Sequence, residues 1–368
     1  MIISARPYPD IRLLSSRGDF LGADGASFYL LGRDALLSGL IVLGLQKGDG
    51  VIVPAYMCNS TIEPLQEYGF KVIFVDIDKS LRLSIDMIEK IIKKDSSVKA
   101  LLAVHYFGLT QNMDKVINLC QKHGVKVVED VSHSFLSQFL RNKDSIKSDA
   151  EVFSMRKSLP IVDGGALRIN HDSYDEAKNS TPQCVSITSD LKYLILRLLE
   201  KIVTRLDVNI YGQFINNIKT KLRSNNSNDT YDFNVKPCQV SWQLKKYLGN
   251  KEYLQNTQQR IVKNFNQLSQ ELNRLGFRLL VESVEDSVVP QACIIYDDKG
   301  GLVDYLRSKG IGSWRWPDEE IPKEVVQNSD MYPYAVFFDE KLVLIPIHQS
   351  LGDKQINYII QVLSKWQL

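Results

Sequence analysis

At 368 residues the chain is long enough for a large core and too long for one ordinary domain. Its 44% hydrophobic and 24% charged content is that of a globular protein, and a net charge of +2 speaks against a nucleic-acid surface. Cys58, Cys120, Cys184, Cys238 and Cys293 are scattered, with no CxxC pair or zinc spacing. That pattern points to a reduced, cytoplasmic protein with no metal site. No stretch approaches the ~20 apolar residues of a membrane span, and the first residues lack a signal-peptide core.

Residues 1–27 read as an irregular arm. Within FYLLGRDALLSGLIVLGL (28–45) an apolar run becomes a helix at Gly32, and Ala35, Leu36, Leu40 and Leu43 repeat at helical spacing. A glycine at a helix start leaves backbone N–H groups able to hold a phosphate, although a plain helix start reads equally well. Strands are then predicted at 51–54, 71–78, 98–108 and 125–130, alternating with helices at 83–94 and 113–124 and a loop-and-helix ending at Gly69. This alternation predicts a mostly parallel sheet covered on both faces, with its ligand beyond the carboxyl ends of the strands. Pro54, His105, Asp130 and the loop carrying Lys157 all fall at or just past those ends. An acid and a lysine at successive strand ends suit pyridoxal 5′-phosphate (PLP), whose pyridine nitrogen needs an acidic partner and whose aldehyde needs an amine.

After Asn170 the pattern changes. Residues 189–222 form a long helical stretch with Ser189 as its N-cap and a break near 207–212, followed by a polar loop at 224–230. Apolar positions 191, 194, 195, 198, 199 and 202 alternate with Lys192, Arg197, Lys201 and Arg205. The pattern reads as a core or dimer face in preference to a membrane-surface helix. Helices over 239–276, short strands and a closing helix give a smaller α+β domain. The resulting division is 1–235 for a large cofactor-binding domain and 236–368 for a small C-terminal one.

The segments LGRDAL, VIVPAYMC, FVDID, VHYFG, MDKV, VVEDVSHS, Lys157 with Gly164-Gly165 after it, and LIPIHQSL occur in the order found in the DegT/StrS-type nucleotide-sugar aminotransferases, which the chain resembles from about residue 28 onward. The resemblance implies a fold-type-I PLP-dependent transferase: an α/β large domain with a mixed, mostly parallel seven-stranded sheet, and a small α+β domain. It implies a homodimer with shared active sites, PLP as cofactor, and an amino acid (L-glutamate) and a nucleotide-linked keto-sugar as substrates, serving polysaccharide or amino-sugar synthesis.

Carried onto this sequence, the resemblance makes Lys157 the lysine that bonds the cofactor aldehyde and Asp130 the partner of the pyridine nitrogen. His133 would stand near the ring oxygen or phosphate. Gly32, Arg33 and Asp34 match the phosphate-binding helix start, and Ser154 would offer the phosphate its hydroxyl, although two residues closer to the lysine than in many relatives. Cys58 stands where the family has an aromatic ring stacked on the cofactor, so the sulfur or Tyr56 would have to serve. Asp232, Phe233 and Asn234 replace a segment that reaches the neighbouring subunit's phosphate, with Lys236 or Asn234 as substitutes. Tyr56, His105, Trp314 and Arg315 are candidates for the substrate, the last two in a WRWP cluster where the family's histidine is missing. Two other readings remain: deoxysugar dehydratase chemistry, against which Lys157 argues, and a degenerate protein that binds PLP without turnover.

Overall fold

The computed structural model describes residues 1–15, 25–138, 148–170, 185–204, 236–318 and 320–367. Its centre is a seven-stranded sheet in the order β1-β7-β6-β5-β4-β2-β3. The strands are β1 (Ala26–Tyr29), β2 (Gly50–Pro54), β3 (Lys71–Val75), β4 (Val98–Val104), β5 (Lys126–Asp130), β6 (Ala150–Ser154) and β7 (Gly165–Ile169). Five run parallel from β3 across to β6, whereas β7 is antiparallel to both β6 and β1. The predicted mixed, mostly parallel seven-stranded sheet is therefore present. Strands β2 and β6 are buried along their whole length, as both-face coverage requires.

One sheet face packs on α1 (Gly32–Val42) and α2 (Asn59–Tyr68) through Val51, Val53, Leu102, Val104, Val128 and Val152. The other packs on α3 (Ile85–Lys94) and α4 (Met113–Lys122) through Ile52, Leu101, Ala103 and Val127. The alternation of neighbouring residues between the two sets is the period of two expected of strands.

Two glycines let α1 press against the sheet. A Cβ on Gly165 would lie 2.2 Å from the Leu31 carbonyl oxygen, and one on Gly32 would lie 3.1 Å from Ser154 Cβ. The start of α1 is thereby held against the ends of β6 and β7. Leu31 N–H, just before the helix, donates to the Asp34 carboxylate at 3.0 Å.

A third helix on the chain's path, α6 (Ile187–Val203), follows a short helical turn α5 (Phe135–Gln138). Its N-cap is Ser186, three residues earlier than the sequence suggested, with Ser186 Oγ accepting from Ser189 N–H at 3.2 Å. In the chain by itself the stretch expected to be a core or dimer face is buried on one side at Leu194 and exposed on the other, with Ile187 67% and Ile202 60% accessible. The expected break at 207–212, the loop 224–230 and Cys184 lie outside the described residues. Cys58, Cys120 and Cys293 are free thiols, whereas Cys238 is disulfide-bonded, a departure from the fully reduced set expected.

The C-terminal part pairs helices Trp242–Leu248 and Lys251–Arg274 with a two-stranded antiparallel sheet, β8 (Cys293–Tyr296) and β9 (Leu342–Ile345), and ends in the helix Asp353–Gln367. FRLLVE contributes only the bridge Leu279↔Ile295. The N-terminal arm is not loose. Ile3 N–H donates to the Gly310 carbonyl (2.7 Å) and Gly312 N–H to the Ile3 carbonyl (2.8 Å). A Cβ on Gly312 would sit 2.4 Å from Ala5 N, so the Gly-Ile-Gly of 310–312 is the price of this backbone contact. His348 clamps the same arm: its Nε2 meets the Ser4 carbonyl oxygen at 3.0 Å, so it is the donor and Nδ1 carries no proton.

Two stability measurements follow. Gly165→Ala forces the start of α1 off the sheet and lowers unfolding free energy by about 1–3 kcal/mol in denaturant melts. Burial lowers the His348 pKa to about 4 from its ordinary 6.5. Between those values the unfolded chain takes up a proton that the folded chain refuses, so stability falls as pH falls. The stability of the wild type relative to His348→Gln should therefore shrink by roughly 3 kcal/mol from pH 7 to pH 4.

Candidate active site

The carboxyl ends of β4, β5 and β6 converge with the start of α1. Asp130 ends β5, is 9% exposed, and accepts from Ser132 N–H at 2.9 Å through Oδ1. Its Oδ2 has no hydrogen-bond partner among the described residues. Ser154 ends β6 against Gly32, where a Cβ on the glycine would stand 3.5 Å from the serine hydroxyl. Lys157 follows on a single 3-10 turn, Met155–Lys157, and is half-buried. Arg156 beside it, and Arg33 in the first turn of α1, bring positive charge to the same end of the sheet; burial and then the charges of Arg6 and Arg33 lower the Arg156 pKa.

His133 is the most informative side chain. It is 3% exposed, and burial first, then the positive charge of Lys157, push its pKa well below the ordinary value. The imidazole is neutral. Its Nδ1 accepts from the Phe107 N–H at 3.3 Å, so the ring proton sits on Nε2. That buried Nε2 has no hydrogen-bond partner among the described residues, a cost of about 1–3 kcal/mol if nothing else meets it.

The hand that sets this tautomer is a strained residue. Phe107 has φ 56°, ψ 22°, a left-handed conformation unusual for a bulky residue, and its ring stacks on His133 at 5.4 Å and 9°. Gly108 follows with φ 95°, and a Cβ there would strike the Val289 carbonyl at 2.5 Å. VHYFG is thus a turn that aims one backbone N–H at His133. The sequence reading noticed the motif and chose His105 from it, missing Phe107; the glycine after an aromatic at a strand end was the available signal.

Not every candidate is brought to this place. His105 is a correction. Its Nε2 pairs with Glu129 Oε2 at 2.9 Å, and Glu129 leaves β5 on the sheet face opposite to Asp130. Arg315 is also engaged elsewhere, donating to Asp297 Oδ2 at 2.9 Å and to the Glu340 carbonyl. Trp314 runs as a bridge beside Leu344. From the same WRWP cluster it is Trp316 that approaches, with ring centroids 4.9 Å from His133, 5.7 Å from Phe107 and 4.9 Å from Tyr56. Tyr56 is fully buried, and its hydroxyl donates to the Trp316 carbonyl. Cys58 caps the start of α2, its sulfur 3.0 Å from Thr61 Oγ1. Burial, and then the charges of Tyr56, Asp130, Asp76 and Cys58, raise the pKa of neighbouring Tyr106. Asp34 accepts from the Leu31 N–H through its carboxylate. Asp232, Phe233 and Asn234 lie outside the described residues. Among the described residues no group of His, Cys, Asp and Glu side chains could hold a metal ion.

Comparison with known proteins finds a likeness over the first half of the chain. Residues 18–184 match the sequence profile of the DegT/DnrJ/EryC1/StrS aminotransferase family. Curated relatives include the UDP-2-acetamido-2-deoxy-3-oxo-D-glucuronate aminotransferase of Pseudomonas aeruginosa, 30% identical over 169 residues (45% of this chain, 46% of that protein). The UDP-N-acetyl-3-dehydro-alpha-D-glucosamine 3-aminotransferase of Acidithiobacillus ferrooxidans is 32% identical over 152 residues (40% of each). The chain thus spans less than half the length of the curated relatives it matches. The fold extends further than these alignments. The chain superposes on Helicobacter pylori PseC, an aminotransferase involved in the biosynthesis of pseudoaminic acid, with a TM-score of 0.65 at 16% identity, covering 99% of this chain and 98% of that one. DesV of S. venezuelae gives 0.65 at 20% identity over 97% and 92%. The fold of the DegT aminotransferases therefore extends across the whole chain, including the C-terminal part.

If Lys157 depresses the His133 pKa, Lys157→Met removes that charge but not the burial. The imidazole pKa should rise and still stay below the ordinary value, which nitrogen-15 NMR of labelled histidine reads. No change on substitution would mean that the two side chains are not neighbours.

Proposed function

We propose that this chain is a PLP-dependent aminotransferase that moves an amino group from an amino acid, L-glutamate first among donors, to a nucleotide-linked keto-sugar, acting as a cytoplasmic homodimer. The observation that carries the reading is the buried Nε2–H of His133, unpartnered among the described residues and within electrostatic reach of Lys157, at the end of the sheet where Asp130 closes β5. These residues fit the cofactor. His133 would donate to the ring oxygen, Asp130 Oδ2 would accept from the protonated ring nitrogen, and Ser154 with the α1 backbone would hold the phosphate. When bound, PLP supplies an aldehyde that takes up an amine and a ring that accepts electron density.

The chain's own part is to position and to move protons. Asp130 keeps the ring nitrogen protonated. Lys157, once its amine is released, is the base that moves a proton at the donor's α-carbon and returns it on the acceptor. Burial and the charge of Lys157 favour the neutral form of His133, whose Nε2–H is then the donor. The names of the curated relatives, several of them UDP-linked sugar aminotransferases and two of them GDP-perosamine synthases, support a nucleotide-sugar acceptor. The family resemblance supports the homodimer.

The test is the visible spectrum of the protein with PLP, before and after L-glutamate. The wild type should show a band above the free cofactor's that bleaches with glutamate, and Lys157→Ala should lose the band while keeping its fold. Asp130→Asn should keep some cofactor and lose about 100-fold or more in rate. A Lys157→Ala protein that still transfers amino groups near the wild-type rate would sink the assignment; a wild-type band that no amino donor bleaches would leave a binding protein.

A further inference from the structure

Five of the exposed large apolar side chains lie on α6: Ile187, Leu191, Ile195, Leu199 and Ile202, between 43% and 67% accessible. At about 100° per residue they form one stripe of ~120° running the length of the helix. The opposite side fastens the helix to the protein. Asp190 accepts from the Gln243 backbone N–H at 3.1 Å, Leu194 is buried, and Arg197 donates to the Pro7 carbonyl at 2.8 Å and pairs with Glu200. Ser4 Oγ donates to Glu200 at 3.3 Å. Both acids of the helix are therefore turned inward, Asp190 at 1% and Glu200 at 4% exposure. The charges left on the outer side are Lys192 and Lys201, both exposed, one on each flank of the stripe. Tyr193, on the inward side, sits within electrostatic reach of Arg6 and Arg156, so the stripe faces away from the candidate active site.

What covers such a face is decided by charge. A second copy with its two-fold axis through α6 would set the patch against itself, bringing Lys192 and Lys201 to lysines with no exposed acid of the helix to meet them. An apolar stripe flanked by lysines is complementary to an anionic bilayer: the Leu and Ile side chains enter the acyl boundary and the lysines reach the headgroup phosphates. Among the described residues no helix is long and apolar enough to cross a membrane, so the contact lies in the plane of the interface.

We infer that the outer face of α6 docks this protein onto an anionic lipid bilayer. The inference is independent of the aminotransferase reading, and it reverses the sequence expectation that membrane contact is absent. It is tested by flotation of the full chain with phosphatidylcholine vesicles with and without phosphatidylglycerol, at low and high salt, alongside light scattering. The wild type should float with the anionic vesicles and less so as salt rises. Leu191→Gln with Ile195→Gln should lower partitioning about tenfold or more, and Lys192→Glu with Lys201→Glu several-fold on anionic vesicles only. These side chains are exposed, so thermal melts should be unchanged in both variants. Failure of the wild type to bind any vesicle overturns the inference. So does binding that neither variant weakens, or a fall in oligomeric mass in Leu191→Gln with Ile195→Gln, which would give the stripe to a second copy.

Discussion

The contact on which the site depends is between two stretches of backbone: the start of α1 and the start of β7. A Cβ on Gly165 would come within 2.2 Å of the Leu31 carbonyl, so only glycine admits the approach. With that contact made, the first turn of α1 lies against Ser154, and Ser154 is three residues from Lys157 on a rigid strand-to-turn segment. The glycine pair after the lysine thus has two contacts: Gly164 packs on Met155 in the lysine's own turn, and Gly165 admits the start of α1. The second is the clearance that brings a helix N-terminus and an amine to one end of one sheet. Without it the two would belong to the same fold and to no common site.

The sequence carried the parts of this arrangement that are set by local chemistry. Alternating strands and helices predicted the parallel sheet because hydrophobic period and turn residues are local signals. The end of β5 at Asp130 was legible because the buried run stops there, whereas β3 and β4 end three and four residues before the predicted limits. Side-chain direction was harder. His105 and Glu129 occupy positions whose face depends on register between strands, and the sequence does not state which of two neighbouring polar residues looks toward the ligand. The result is that His105 and Glu129 bury a pair on the opposite face, close to the Glu151–Arg168 ion pair of the same face. Phe107 was illegible for a different reason: its role is made by a backbone dihedral and a single N–H, not by its ring chemistry. The WRWP cluster shows the limit in a third way. Composition identified the cluster, but only the fold tells Trp316, which meets His133, from Arg315, which is committed to Asp297.

The aromatic neighbourhood answers the puzzle posed by Cys58. Its sulfur is occupied with the Thr61 hydroxyl and cannot provide a flat apolar surface. Rings come instead from elements distant in sequence: Tyr56 and Tyr106 from strand ends, Phe107 from the strained turn, and Trp316 from the C-terminal part. A tryptophan delivered from the C-terminal part ties the shape of the pocket to the packing between the two parts of the chain, which one aromatic residue at position 58 would not do. The Tyr56 hydroxyl donating to the Trp316 carbonyl fixes that tie at one point.

Charge completes the argument. Lys157, Arg33, Arg156 and the positive end of α1 gather at the end of the sheet where Asp130 closes β5. Gathering like charges costs energy, and the lowered Arg156 pKa records that cost, burial first and Arg6 and Arg33 after it. A fold keeps such a cost where a ligand returns it. The arrangement suits a molecule that is anionic at one end and carries a protonatable nitrogen at the other. His133, kept neutral between the two, can donate a hydrogen bond without adding to the repulsion. A charged imidazole at that position would have raised the electrostatic cost of the empty pocket and met the positive Lys157. Burial therefore does chemical service here: it holds one donor in the form that the surrounding cations can tolerate.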